Sequence, residues 1–131
     1  MYNEKTIDHF SHPRNMGELK DFDAKAEGGN PVCGDVVKLW IKLSEDKKSA
    51  KGRSSSGRNI ADIKFKAFGC GACIASTSAM TEMVKGKLVT DVRKLSRDDI
   101  VKYLGGLPEQ KQKCSNFSVE VLKKALREFS N

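Results

Sequence analysis

Ile60-Ala61-Asp62-Ile63-Lys64-Phe65-Lys66-Ala67-Phe68-Gly69-Cys70-Gly71-Ala72-Cys73-Ile74-Ala75-Ser76 changes its hydrophobic period partway along, and that change decides the fold class. Up to Phe68, Ile63, Phe65 and Ala67 alternate with Asp62, Lys64 and Lys66. A period of two belongs to a strand with one wet face. From Ala67 to Thr81 there is no charged residue, in a chain of which 31% is charged. Ala72, Ala75, Ser76, Ser78 and Ala79 keep this stretch slim, while Ile74, Met80, Met83 and Val84 add bulk. The pattern predicts a strand over 60–68 followed by a buried helix over 72–85, its backbone close to its neighbours. Lys85-Gly86-Lys87 ends the helix, with glycine at the stop and lysines at the negative end of the dipole.

Upstream, Val36 to Leu43 reads as a second strand, with Val37, Leu39, Ile41 and Leu43 on one face and Lys38 and Lys42 on the other. The two strands are expected to pair as an antiparallel hairpin with a polar outer face. The segment between them, 45–59, is rich in Ser, Lys, Arg and Gly, the composition of a flexible, solvated loop. Residues 3–10 read as a short helix capped by Asn3 and broken by Pro13, and 27–31 as a turn cluster. Ser96 caps a helix reaching Leu104, and a last helix over 115–129 carries Phe117, Val121, Leu122, Ala125 and Phe129 as its apolar stripe. Strands first and helices after predict an α+β fold: a small antiparallel sheet with helices packed on one face.

The chain has 131 residues, 38% of them hydrophobic, which suits one domain over 1–131 and excludes a disordered chain. No apolar run approaches a membrane span of ~18 residues. The polar start, Met1-Tyr2-Asn3-Glu4-Lys5, is unlike a signal peptide, and a cytoplasmic location is expected. In a reducing compartment the four cysteines point to metal or thiol chemistry rather than disulfides. The net charge is +7, and residues 42–66 hold eight basic and three acidic side chains. Such a patch raises nucleic acid as a partner. The absence of interleaved aromatics in the basic loop and of any nucleic-acid-binding motif argues against it.

Three cysteines stand at predicted element ends. Cys33 precedes the first strand, Cys70 lies where the second strand turns into the buried helix, and Cys114 comes just before the last helix. Thiolates are the reactive, metal-binding form, and a helix N-terminus lowers thiol pKa. Glycine on one or both sides (Gly34, Gly69, Gly71) leaves room for tight turns. Asp35 shares a face with Cys33 if the backbone is extended, and its carboxylate would be a hard oxygen ligand beside soft sulfurs. Taken singly, Cys33 or Cys114 reads equally well as a small buried hydrophobe. Cys70-Gly71-Ala72-Cys73 is a C-x-x-C, yet zinc ribbons need a second such pair and thioredoxin motifs a βαβ setting. Cys73, inside the uncharged helix, reads as packing. His9 and His12 read as surface or packing residues rather than ligands.

Together these residues resemble the IscU / NifU N-terminal type of iron–sulfur cluster assembly scaffold. The resemblance is carried by Asp8-His9-Phe10 with Pro13-Arg14-Asn15 and Gly17, by residues 30–35 (Asn-Pro-Val-Cys-Gly-Asp), by 65–71 (Phe-Lys-Ala-Phe-Gly-Cys-Gly), by Ile74-Ala75-Ser76, by 81–87, and by Leu107-Pro108, Lys111 and Cys114-Ser115. It implies cluster ligation by Cys33, Cys70 and Cys114, with Asp35 keeping the cluster labile. It also implies sulfur from an IscS/NifS-type cysteine desulfurase, iron and electrons from other donors, and transfer of a [2Fe–2S] cluster to apo-proteins or carriers. The protein would be a scaffold rather than a conventional enzyme. One departure is Lys113, where the family commonly has histidine. The fourth ligand is then Asp35 first, Cys73 second, Lys113 third. A basic residue there is also similar to SufU-like relatives, which hold zinc and accept sulfur, although the interval from Cys70 to Cys114 is that of the scaffold type. Residues 107–111 match only part of the motif that a dedicated chaperone reads, and the basic loop is longer than the family's usual hairpin.

Overall fold

The computed structural model describes residues 3–30, 35–44, 58–69, 71–106 and 112–127, with the backbone alone at 30 and 112–116. Its elements run α1 (Glu4–Ser11), β1 (Ala24–Asn30), β2 (Asp35–Leu43), β3 (Ile60–Phe68), α2 (Gly71–Val84), α3 (Val89–Val92), α4 (Arg97–Tyr103) and α5 (Gln112–Leu126). The strands form one antiparallel sheet in the order β1-β2-β3. The predicted hairpin is present, and the sheet has a third strand besides.

That third strand corrects the turn reading of 27–31 at Glu27 to Asn30. Ala24 and Ala26 are buried while Lys25 and Glu27 are exposed, a strand alternation written in small residues. The face that carries Ala24 and Ala26 also carries Gly28. A Cβ on Gly28 would stand 2.7 Å from Val121 Cγ2 and 3.2 Å from the Phe117 ring. Glycine here lets α5 lie directly on β1.

Val37, Leu39, Ile41 and Leu43 of β2 are all buried on the helix side, with Ile63 and Phe65 beside them. Ile60 is also buried, although it is an odd number of residues from Ile63. A bulge between Lys42 and Leu43 pairs Leu43 with Ile60 and turns Ile60 back into the core.

The outer edge of β3 is covered twice. Phe65 N donates to Asn15 O at 3.0 Å and Phe65 O accepts from Gly17 N at 2.8 Å. Asn15 reaches this position with φ 61, a left-handed conformation that asparagine tolerates better than most residues. At the other end of β3, Ile60 N donates to Lys87 O and Ile60 O accepts from Gly86 N. The motif of residues 13–17 thus has a structural task, closing a sheet edge.

Helix α2 is buried on nearly every side, including Ser76, Thr77, Ser78 and Thr81, as its lack of charge predicted. Its hydroxyls are satisfied by neighbouring elements: Ser78 Oγ lies 2.8 Å from His9 Nδ1 and accepts from Arg14 N, and Thr77 Oγ1 lies 2.8 Å from Ser118 Oγ. Thus α2 is the hub on which α1 and α5 are fastened by buried polar contacts as well as by packing. No helix among the described residues is long and apolar enough to cross a membrane. Residues 45–57, most of the basic loop, lie outside the described residues.

Candidate metal centre

The backbone brings four element ends to one edge of the sheet. Asn30, the last residue of β1, pairs with Asp35, the first of β2, and Val36 pairs with Phe68, the last of β3. Helix α2 starts at that edge, three residues after Phe68, and finishes near Ile60 at the far end of β3, where Gly86 N reaches Ile60 O. Helix α5 runs the same way. Phe117 and Val121 lie over Gly28, Lys124 Nζ donates to Glu27 O, and Leu126 O accepts from Arg93, just beyond α3. The two long helices therefore point their N-termini at one edge. Each N-terminus carries roughly half a positive charge, a field that favours anions, thiolates included.

In sequence, each candidate cysteine adjoins or belongs to an element that ends at this edge. Cys33 falls in the four-residue connection between Asn30 and Asp35, and Cys70 between Gly69 and Gly71; both lie outside the described residues. Cys114 is the third residue of α5, which begins at Gln112. This corrects the expectation that it precedes the helix. Gln112 and Lys113 extend the first turn without an apolar signal, so the apolar stripe alone places the start too late. The side chains of Lys113 and Cys114 lie outside the described set. Among the described residues, no three His, Cys, Asp or Glu side chains converge as a metal site.

Asp35 is described in full and is buried, 4% exposed, on the helix side of β2. Its neighbour across the edge is Gly69, one step beyond the Val36–Phe68 pair. Gly69 has φ +150, and a Cβ built on it would overlap the Asp35 carboxylate, 2.6 Å from Cγ and 3.0 Å from Cβ. The carboxylate thus sits against the residue that immediately precedes Cys70. On the other flank, a Cβ on Gly71 would lie 3.2 Å from the Phe10 ring of α1. The glycines around Cys70 are room made for Asp35 and Phe10.

Cys73 is fully buried within the core cluster, and its carbonyl accepts a hydrogen bond from Thr77. The packing role read from sequence is the one its surroundings support. His9 is also buried, 2% exposed, at the junction of α1, α2 and α4. Its ring lies edge-on to Tyr103, and Nε2 stands 3.6 Å from Glu82. Burial, and then the nearby Arg14 cation, hold its pKa below the ordinary histidine value. His12 is exposed.

Over residues 1–131 the chain matches the family described as "NifU-like N terminal domain" and belongs to it. It is 42% identical over 129 residues to "Iron-sulfur cluster assembly scaffold protein IscU 1" of Archaeoglobus fulgidus, covering 98% of this chain and 76% of that one. It is 42% identical over 128 residues to "Iron-sulfur cluster assembly scaffold protein IscU" of Aquifex aeolicus, covering 98% and 75%. It is 41% identical over 132 residues to "Iron-sulfur cluster assembly enzyme IscU" of Drosophila melanogaster, covering 98% and 78%. Among solved structures it resembles the SUF-system scaffold FiSufU of Fervidobacterium islandicum AW-1 with a TM-score of 0.73, at 23% identity over 95% of this chain and 96% of that one. It also resembles an N-terminal NifU-like protein from Brucella abortus, with a TM-score of 0.68 at 19% identity over 96% and 92%. Those two likenesses establish the α+β fold.

Proposed function

We propose that this protein is a scaffold on which an iron–sulfur cluster is assembled and from which it is handed to other proteins. The observation that carries this reading is the shared edge: α2 and α5 aim their N-termini at it, Asp35 is buried on it, and the elements that adjoin Cys33, Cys70 and Cys114 in sequence end there. Membership of the NifU-like family and the names of its IscU relatives support the same reading.

In this reading Cys33, Cys70 and Cys114 hold the cluster and Asp35 is the fourth group. The helix ends favour deprotonated sulfur, the form that binds iron. A carboxylate beside three thiolates is a harder, weaker ligand for iron than a fourth sulfur would be. Such a site binds cargo firmly enough to assemble it and loosely enough to release it. The cargo is a [2Fe–2S] cluster, with sulfur supplied by an IscS/NifS-type cysteine desulfurase, and iron and electrons from other donors. Apo-proteins or carriers receive it. The protein carries rather than catalyses, and the setting is the cytoplasm, with residues 1–131 acting as one scaffold domain.

The test is anaerobic reconstitution with ferrous iron, sulfide and a reductant, followed by Mössbauer and electronic spectroscopy with parallel metal analysis. Sulfur-to-iron charge-transfer bands and iron and sulfide in equal amounts are expected. A colourless protein under all such conditions would end the reading. Lys113 favours a second reading, a zinc-bound sulfur acceptor for the desulfurase. It predicts one tightly held zinc and stimulated desulfurase turnover with no cluster.

A further inference from the structure

We propose that Gly69 is a positioning residue for the Asp35 carboxylate: the missing side chain at 69 is the space that carboxylate occupies. This rests on the scaffold reading for its functional consequence, and on packing alone for its structural part. Asp35 opens β2, and Gly69 follows β3 directly across the edge. A Cβ on Gly69 would overlap Asp35 Oδ1 and fall 2.6 Å from Cγ. The overlapping atoms are those of the carboxylate, while Asp35 Cβ would stand 3.0 Å away, a tight contact. Since Asp35 is buried at the start of a paired strand, relief requires its carboxylate to leave its present orientation. Gly69 also joins directly to Cys70 in sequence, so the carboxylate lies against the residue next to that candidate ligand.

The backbone at Gly69 is itself of a kind that side chains disfavour, with φ +150. Gly69→Ala therefore introduces two effects, backbone strain and collision with Asp35. A double-mutant cycle separates them, because Asp35→Ala removes the collision and leaves the strain. Four proteins are compared: the parent, Gly69→Ala, Asp35→Ala, and the double variant.

In the metal-free proteins, Gly69→Ala is expected to lower Tm by several degrees in the parent, and by much less in the Asp35→Ala background. Equal losses in both backgrounds would overturn the proposal. With cobalt(II) as the probe, Gly69→Ala should reproduce the altered d–d spectrum of Asp35→Ala, since both take the carboxylate out of its place. A parent-like cobalt spectrum in Gly69→Ala would likewise count against it. In reconstituted protein, Gly69→Ala should prolong cluster survival against a chelator severalfold, as Asp35→Ala should, with no further gain in the double variant. A variant that merely loosened the site would shorten survival instead. If Gly69→Ala is too unstable to purify, Gly69→Ser in the Asp35→Ala background serves: it must fold better there than with Asp35 present. Should no variant form a cluster while the Tm cycle still shows coupling, the positioning role stands and the scaffold reading fails.

Discussion

His9 Nδ1 lies 2.8 Å from Ser78 Oγ, and the same hydroxyl accepts from Arg14 N at 2.9 Å, so one buried oxygen ties both α1 and the segment after it to α2. In the tautomer where the Ser78 hydroxyl donates to Nδ1, the neutral ring carries its proton on Nε2, toward Glu82. The groups around His9 are Asp8 and Lys5 on its own helix, Arg14 just beyond it, Ser78 and Glu82 on α2, and Tyr103 on α4.

Protonating His9 is disfavoured in the folded state, since its pKa lies below the ordinary value. The unfolded chain then binds more protons than the folded one as pH falls through about 6.5. Its contribution is present above that pH and lost as pH falls through the folded pKa. Thermal unfolding followed by circular dichroism should show Tm declining between neutral and mildly acidic pH. In His9→Gln that decline should be shallower, although the variant starts less stable.

Gly28→Ala should cost about 1–3 kcal/mol by overpacking α5 against β1. The added Cβ would be 2.7 Å from Val121 Cγ2. Urea denaturation measures the loss, and Val121→Ala in the same chain should recover part of it. Because α5 carries Cys114, Gly28→Ala should also reduce the yield of reconstituted cluster.

Thr77 Oγ1 and Ser118 Oγ are both buried and 2.8 Å apart, Thr77 also donating to Cys73 O. Thr77→Val keeps the shape and removes a partner from Ser118, at an expected cost of about 1–3 kcal/mol. Adding Ser118→Ala should cost less in that background than in the parent. Additive losses in chemical denaturation would mean that the two hydroxyls do not cooperate.

Cys73 and the three candidate ligand cysteines should separate cleanly. Serine at position 33, 70 or 114 should abolish most of the charge-transfer absorption after reconstitution. Cys73→Ala should retain it and instead lower stability by roughly 1 kcal/mol, the scale of a small core cavity. Absorption lost with Cys73→Ala in a folded protein would restore Cys73 as a ligand.

Strong periodicity made β2, β3 and α2 legible almost to the residue. The apolar residues alternate in the strands, and the charge-free run of α2 corresponds to a helix buried on nearly all sides. β1 escaped because its inward residues are Ala24, Ala26 and Gly28, which contribute little to a hydrophobic pattern although they are what α5 needs beneath it. α3, at four residues, is too short for any period to register. Spacing and flanking glycines singled out Cys33, Cys70 and Cys114, and nearness to Cys33 singled out Asp35, whose burial at the sheet edge the structure describes. The contact between Asp35 and Gly69 was not legible, because it depends on strand register across residues far apart in the chain. Even the glycines had a visible signal, but the signal says only that space is needed, not for whom.

The two covers on the outer edge of β3 have a consequence for how molecules of this protein meet. Residues 15–17 take up the hydrogen-bonding groups of Phe65, and residues 86–87 take up those of Ile60. A strand from a neighbouring chain finds both of those docking positions filled, so β3 cannot template a growing intermolecular ladder there. Two stations on the open side of the sheet are thereby closed to strand addition by a second copy.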